Sequence, residues 1–156
     1  MNESDKKWMS IALYEAARAR DVDEVPIGAC IVSSSGELLA AACNMTITNN
    51  DPTAHAEILA LRAAAEAVEN YRLTGVTVYS TIEPCAMCAG ALVNARVKRL
   101  VYGADDERFG AVKTHFGIGV TDVLNHRIEV ESGVMVDECR EIIQEFFRSR
   151  RAETRV

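Results

Sequence analysis

Hydrophobic positions recur along this chain with two different periods, which separate predicted helices from predicted strands. Residues 4–20 carry apolar side chains near helical spacing behind a candidate N-cap, Ser4. Residues 53–69 are dense in strong helix formers and predict a second helix. A third helix is predicted for "PCAMCAGALVNA", with Pro84 at its first position, and a fourth, amphipathic one for "DECREIIQEFFRSRR" with its apolar residues facing inward.

The strand signals are short apolar runs, rich in β-branched residues, between turn signals. "VPIGACIVS" and "LLAAACN" flank the turn "SSGE" and predict a hairpin. "GVTVYST" and "VKRLVYGA" flank the third helix, which predicts a right-handed parallel crossover, and "HRIEVESGV" predicts a fifth strand. We therefore predict a single α/β domain over residues 1–156, a three-layer α/β/α sandwich around a mixed sheet of about five strands, with its active site at the strand ends.

Composition and charge narrow the functional classes. The 156 residues are 49% hydrophobic and 26% charged, without an apolar run long enough for a membrane span, and the polar start "MNESDKKWMS" predicts a cytoplasmic protein. Five cysteines, an odd number, argue against a disulfide framework there. The net charge of −6 disfavours a general electrostatic grip on nucleic acid, so any basic patch must be local. The candidate patch is Arg148, Arg150, Arg151 and Arg155, which have only Glu153 among them.

Cys85 and Cys88 are the first candidates for chemistry. Two cysteines three apart in "EPCAMC" suit a redox dithiol, half of a structural zinc site, or two of the three ligands of a catalytic metal. The positive end of a helix lowers thiol pKa values, which favours thiolates in each case. The motif by itself therefore leaves all three possibilities open.

The segment "PTAHAEILAL", thirty residues earlier, favours the catalytic metal. We expect His55 in the first turn of a helix capped by Thr53, and two helices that start at one sheet edge bring their N-termini together. One imidazole and two thiolates would leave a fourth position of a tetrahedral zinc open, and no second C-x-x-C is present for a structural site. Glu57, two residues on, could then exchange protons with a water on the metal.

The order of H-x-E and P-C-x-x-C is the signature of the zinc-dependent cytidine and nucleobase deaminase superfamily. Within it, the chain resembles the bacterial tRNA-specific adenosine deaminases over nearly its whole length. The matching segments include "EVPIGA", "CNMTITNNDPTAHAEILALR", "NYRL", "EPCAMCAGAL", "YGADDERFGA", "NHRIEV" and "FFRSRR". The resemblance implies a cytidine deaminase-like fold.

The resemblance also implies a ligand set, a reaction and a partner. It assigns one Zn²⁺ per subunit to His55, Cys85 and Cys88, and the proton shuttle to Glu57. It places Asn44 and Asp106 at substrate-contacting positions. It implies a homodimer that acts on the wobble adenosine of a tRNA anticodon loop and leaves inosine.

Residues 112–124 depart from the family, because they lack the Gly-Ser-Leu turn and the proline of its loop near the substrate entrance. This departure bears on the identity of the polynucleotide substrate and leaves the zinc chemistry untouched, and two alternative functions stay open. One is a deaminase of a free nucleobase or nucleoside of the guanine or cytosine type. The other is a catalytically silent zinc module that scaffolds a partner.

Overall fold

The computed structural model describes residues 2–154, so Arg155 of the candidate basic patch lies outside the described residues. The helices are α1 (Glu3–Asp21), α2 (Ala56–Val68), α3 (Ala86–Asn94) and α4 (Val136–Thr154). The strands are β1 (Gly28–Val32), β2 (Leu38–Cys43), β3 (Thr77–Ile82), β4 (Arg99–Ala104) and β5 (Glu129–Ser132).

The five strands form one mixed sheet in the order β2-β1-β3-β4-β5. Strand β1 is antiparallel to both β2 and β3, whereas β4 is parallel to both β3 and β5. The predicted hairpin and the parallel crossover through α3 are both confirmed. Because β3 and β4 run in the same direction, their carboxyl ends meet at one edge of the sheet, next to the start of α3.

Two hydrophobic cores lie on opposite faces of the sheet. Residues of α2 and α3 pack on one face, around Leu92 and Leu100, and residues of α1 and α4 pack on the other, around Met9 and Val101. The predicted three-layer α/β/α sandwich is thus confirmed. Helix α4 sits close to the sheet at Gly103, where an added β-carbon would lie 2.4 Å from the sulfur of Cys139.

Helix α1 begins earlier than predicted. Its N-cap is Asn2, whose side-chain oxygen accepts a hydrogen bond from the backbone N–H of Asp5 at 2.7 Å. Ser4 lies inside the first turn, so the prediction that it caps the helix was wrong. Asparagine and serine are comparable caps, and the helical backbone extends far enough for Asn2 to take the role.

The apolar face of α4 is less completely covered than its pattern predicted. Cys139 is buried, but Phe147 is 43% exposed and the apolar residues between them are partly exposed. This helix packs mainly against β4 and α1, and its residues Ile143 and Phe147 line an open groove beside the loop after β4. Across residues 2–154, none of the helices is both long and apolar enough to cross a membrane.

Candidate metal and active site

The two helices that carry the candidate ligands each begin one residue after a ligand. His55 is the N-cap of α2 and Cys85 is the N-cap of α3, both with extended backbone and without a capping hydrogen bond from the side chain. The imidazole and the thiol are therefore free to turn away from their own helix ends. The predictions of Thr53 as N-cap and of Pro84 as the first helical residue were wrong.

Hydrogen bonds outside the helices explain both differences. The carboxylate of Asp51 accepts from the N–H of Thr53 at 2.9 Å and from its hydroxyl at 2.7 Å, which holds Thr53 in a turn before the helix. The carbonyl of Pro84 accepts from the N–H of Ala111 at 2.9 Å, a contact to a distant loop instead of to α3. Tertiary and turn contacts thus shift both helix starts.

His55, Cys85 and Cys88 converge on one point. The His55 Nδ1 atom lies 3.6 Å from the sulfur of Cys85 and 3.4 Å from that of Cys88. All three ligand atoms lie within 4.8 Å of one another, and within residues 2–154 no other group of three His, Cys, Asp or Glu side chains is arranged to hold a metal ion. One nitrogen and two sulfur donors form a set that suits a borderline or soft divalent metal.

The thiols of Cys85 and Cys88 differ in pKa, so that Cys85 ionises more readily than Cys88. A hydrogen bond with Cys88, and a second with His55, lower the pKa of the Cys85 thiol to about 4. The same hydrogen bond with Cys85, together with burial, raises the pKa of Cys88. The pair therefore holds one thiolate readily, at the N-terminal end of α3, where the helix dipole favours a negative charge.

Glu57 lies beside this group without belonging to it. Its side chain is 3% exposed, and burial raises the pKa of the carboxyl to about 7, whereas a hydrogen bond with Cys88 and the charge of His55 oppose that rise. A carboxyl that titrates near neutrality can both accept and return a proton at cellular pH. This is the property that a general acid–base group requires.

A model of the MafB19-like deaminase family matches residues 3–151. A "tRNA-specific adenosine deaminase" of Haemophilus influenzae is 43% identical over 155 residues, which cover 99% of this chain and 90% of that protein. The chain belongs to the tRNA-specific adenosine deaminase family. The H-x-E and P-C-x-x-C motifs, which meet in space, thus lie in a chain that is similar to this family over nearly its full length.

Two solved structures of deaminases are similar to this chain in both fold and sequence. One, from a study of A-to-I editing by tRNA:A34 deaminases at the wobble position of transfer RNA, has a TM-score of 0.84 and 44% identity, covering 87% of this chain and 98% of that one. The other, a guanine deaminase from Bacillus subtilis, has a TM-score of 0.62 and 36% identity, covering 67% of this chain and 66% of that one. The deaminase fold is shared by both.

The remaining cysteines and histidines of this deaminase lie apart from the candidate ligands His55, Cys85 and Cys88, which we call the metal-binding group. Cys30 and Cys139 are buried in the core between the sheet and α1 and α4, where burial raises their pKa values to about 12, and Cys43 is also buried. His115 and His126 bond through Nε2 to the backbone carbonyls of Glu107 and Val97. These side chains serve packing and loop structure.

Asn44 follows directly after β2 and is buried. The next residue, Met45, donates its N–H to the carbonyl of Ala54 at 3.0 Å. This bond closes residues 45–54 into a loop, so Asn44 and His55 leave it side by side. The backbone at Asn44 is therefore held close to that of His55.

Asp106 lies on the loop after β4. Its carboxylate accepts from the N–H groups of Arg108 and Phe109 at 3.1 and 3.0 Å, so it caps a tight turn. The same residue lines a groove of about 920 Å³ between this loop and α4, together with Phe109 and Phe147. Asp106 thus lies on a groove that includes none of His55, Glu57, Cys85 and Cys88, and its carboxylate already has local partners.

Two further carboxylates near the site, those of Glu24 and Glu83, were not among the functional residues predicted from the sequence. Glu24, fully buried, accepts from the N–H groups of Ile47 and Thr48 and so holds the loop before His55. Glu83 is 1% exposed and directly precedes Pro84. The signal that could have identified Glu83 is a charged residue at the end of an apolar strand, where an unpaired charge would be costly.

Proposed function

We propose that this deaminase hydrolyses adenosine to inosine at the wobble position of tRNA. The observation that carries the proposal is the convergence of His55, Cys85 and Cys88 beside the buried Glu57. Support comes from relatives over 40% identical across nearly the full length that are named tRNA-specific adenosine deaminases. We also propose that residues 1–156 form one deaminase domain and that it works in the cytoplasm, the compartment of its tRNA substrate.

The metal would be one Zn²⁺ held by His55, Cys85 and Cys88. Zinc with three protein ligands lowers the pKa of a water in its fourth position towards neutrality and so supplies a nucleophile. The chain contributes a donor set already gathered at two helix N-termini. Cys85 ionises at low pH, whereas Cys88, whose pKa is raised, would release its proton when the metal binds.

Glu57 would move the protons of the reaction. It accepts one proton from the attacking water and delivers it to a ring nitrogen. It then takes the second proton from the hydroxyl now bonded to C6 and delivers it to the leaving amino group. The water oxygen forms a bond to C6 and the bond from C6 to the amino nitrogen breaks, so adenosine and water become inosine and ammonia. The burial of Glu57 supports this role, because it keeps bulk water from competing for those protons.

Asn44 and Asp106 would contact the substrate. The Asn44 side chain carries both a donor and an acceptor, which suits the edge of a purine. Its position beside His55 at the closed loop of residues 45–54 supports this assignment. Asp106 would lie near the neighbouring nucleotides, on the groove beside α4.

The exposed arginines of α4 would meet the phosphate backbone of the anticodon stem-loop. Among the described residues, no acidic side chain lies within ion-pair distance of Arg148 or Arg151. Arg150 is different, because it donates to the carbonyl of Asp23 and stacks on Phe146. We therefore assign phosphate binding to Arg148 and Arg151.

We further propose a homodimer. Large apolar side chains beside the site remain exposed, including Ile47 at 69% and Met87, between the two cysteines, at 36%. A second copy would cover such side chains. Sedimentation equilibrium would measure the mass, and a monomer at all concentrations would contradict the proposal.

The deciding experiment incubates the purified, zinc-loaded protein with total tRNA and measures inosine by nucleoside analysis. Free adenosine, guanine and cytosine are assayed beside it for ammonia release, because the likeness to a guanine deaminase makes a free base the second candidate. Inosine in tRNA is expected. Ammonia from a free base without inosine in tRNA would overturn the proposal, and no deamination of any substrate would favour a silent zinc module.

A further inference from the structure

Residues 105–128, between β4 and β5, form a long connection without a helix or strand. A loop of this length inside a compact domain is ordered only where specific contacts hold it. Its first part, residues 106–114, which we call the rim segment, is bonded to the turn that carries Cys85. Ala111 of the rim segment donates to the carbonyl of Pro84, which directly precedes Cys85.

One buried carboxylate holds the rim segment. Glu83 accepts backbone N–H groups from Asp106 at 3.1 Å, Val112 at 3.1 Å, Lys113 at 2.9 Å and Thr114 at 2.9 Å, and also the hydroxyl of Thr114. These five donors outnumber the roughly four lone-pair sites of a carboxylate, so both Glu83 oxygens are fully hydrogen-bonded. The buried charge is compensated by these donors, and no Lys or Arg side chain within residues 2–154 forms an ion pair with it.

The packing around this carboxylate leaves no space. A β-carbon added at Gly110 would lie 2.2 Å from the Glu83 Oε1 atom and 2.6 Å from the carbonyl oxygen of Asp106. Any side chain at this position would have to push the rim segment away from Glu83. Glu83 and Gly110 thus form one tight contact, made from two distant parts of the chain.

We propose that Glu83 is a positioning residue, which fixes the rim segment against the ligand-bearing turn so that it forms a preset wall for the substrate. The inference rests on the proposed function, since the substrate positioned is the one deaminated there. Glu83 does not touch the reacting atoms. Its loss therefore weakens substrate binding more than it slows the chemical step.

Two variants open the contact from opposite sides. Glu83→Gln keeps the shape but turns an NH₂ group towards N–H donors, and Gly110→Ala keeps Glu83 but inserts a methyl group. For each we expect KM for an anticodon stem-loop to rise roughly 10- to 100-fold, with kcat within about threefold and metal content unchanged. Should Glu83→Gln not fold, Thr114→Val removes only the hydroxyl donor and should give a smaller rise in KM.

Asp5→Asn is the matched control, because Asp5 is an equally buried carboxylate, at the start of α1, bonded to Arg99 and Tyr79. It should lower thermal stability and leave KM unchanged. Hydrogen exchange should be faster at residues 106–114 in Glu83→Gln and not elsewhere. If both rim variants keep KM within twofold, or if Asp5→Asn raises KM equally, Glu83 has only a structural role.

The exchange measurement separates this inference from the proposed function. A wild-type protein that makes no inosine in tRNA refutes the proposed function. In that case KM is measured for whichever free base the protein deaminates. Faster exchange spread over the whole Glu83→Gln chain would overturn the local role of Glu83 whatever the substrate is.

Discussion

Replacing Glu57 by Gln separates proton transfer from metal binding. Glu57 is 3% exposed, and glutamine has nearly the same shape, so the substitution creates neither a cavity nor an overpacked contact. The three ligand atoms that converge come from other residues, so the metal-binding group stays intact. Only the ability to accept and return a proton is lost.

The expected loss follows from the burial of the carboxylate. General acid–base catalysis contributes about 10²- to 10⁴-fold to a rate, which corresponds to about 3 to 5 kcal/mol of activation free energy. A base from bulk solvent cannot reach the buried position of Glu57, so we expect the rate of Glu57→Gln to fall by a factor in the upper part of this range. The free energy of unfolding should change by less than about 1 kcal/mol.

The assay measures inosine formed in tRNA per unit time, with zinc content by elemental analysis and the thermal midpoint recorded in parallel. Glu66→Gln is the control, because Glu66 is on the same helix but exposed to solvent. It should keep the wild-type rate. A Glu57→Gln protein that retains more than a tenth of the rate would refute the proton role, and one that loses zinc would show that Glu57 acts as a ligand.

Three further predictions test the ligands, the RNA surface and the fold. Cys85→Ala should abolish stoichiometric zinc binding in elemental analysis, and one retained zinc per chain would refute the ligand assignment. Replacing Arg148 and Arg151 by Gln should weaken tRNA binding and reduce the slope of log affinity against log salt by about 1.5, as measured by titration at several salt concentrations; an unchanged slope would remove both from the interface. Asp5→Asn should lower the free energy of unfolding at pH 7 by about 3 kcal/mol in denaturant titrations. Because the bond with Arg99 holds the pKa of Asp5 below its usual value, the wild type begins to lose this stability as pH falls below about 4 and goes on losing it until pH has passed the lowered pKa. The gap between the two proteins should therefore shrink steadily over this range, and a constant gap down to pH 2 would contradict the ion pair.

The local sequence pattern was sufficient to predict those elements whose physical cause lies within the same short stretch of chain. Apolar periodicity predicted the four helices, because each helix has to bury one face whatever its neighbours are, and short apolar runs rich in β-branched residues between turn signals predicted the five strands. Helix boundaries were less predictable. Thr53 is a good cap by type, but the side chain of Asp51 holds it in the preceding turn, and His55 takes the cap position instead.

The sequence by itself determined which groups are available for chemistry: one imidazole, two thiolates and a carboxylate in the order of a deaminase motif. Only the tertiary structure decided that His55 and Cys85, thirty residues apart, meet within 3.6 Å, because that distance depends on two helices starting at one sheet edge. It also decided the partners of Glu83, since a buried carboxylate must find donors and its donors lie 23 to 31 residues further along the chain. Spacing along a chain does not encode such contacts, because the folded sheet between the segments sets their separation.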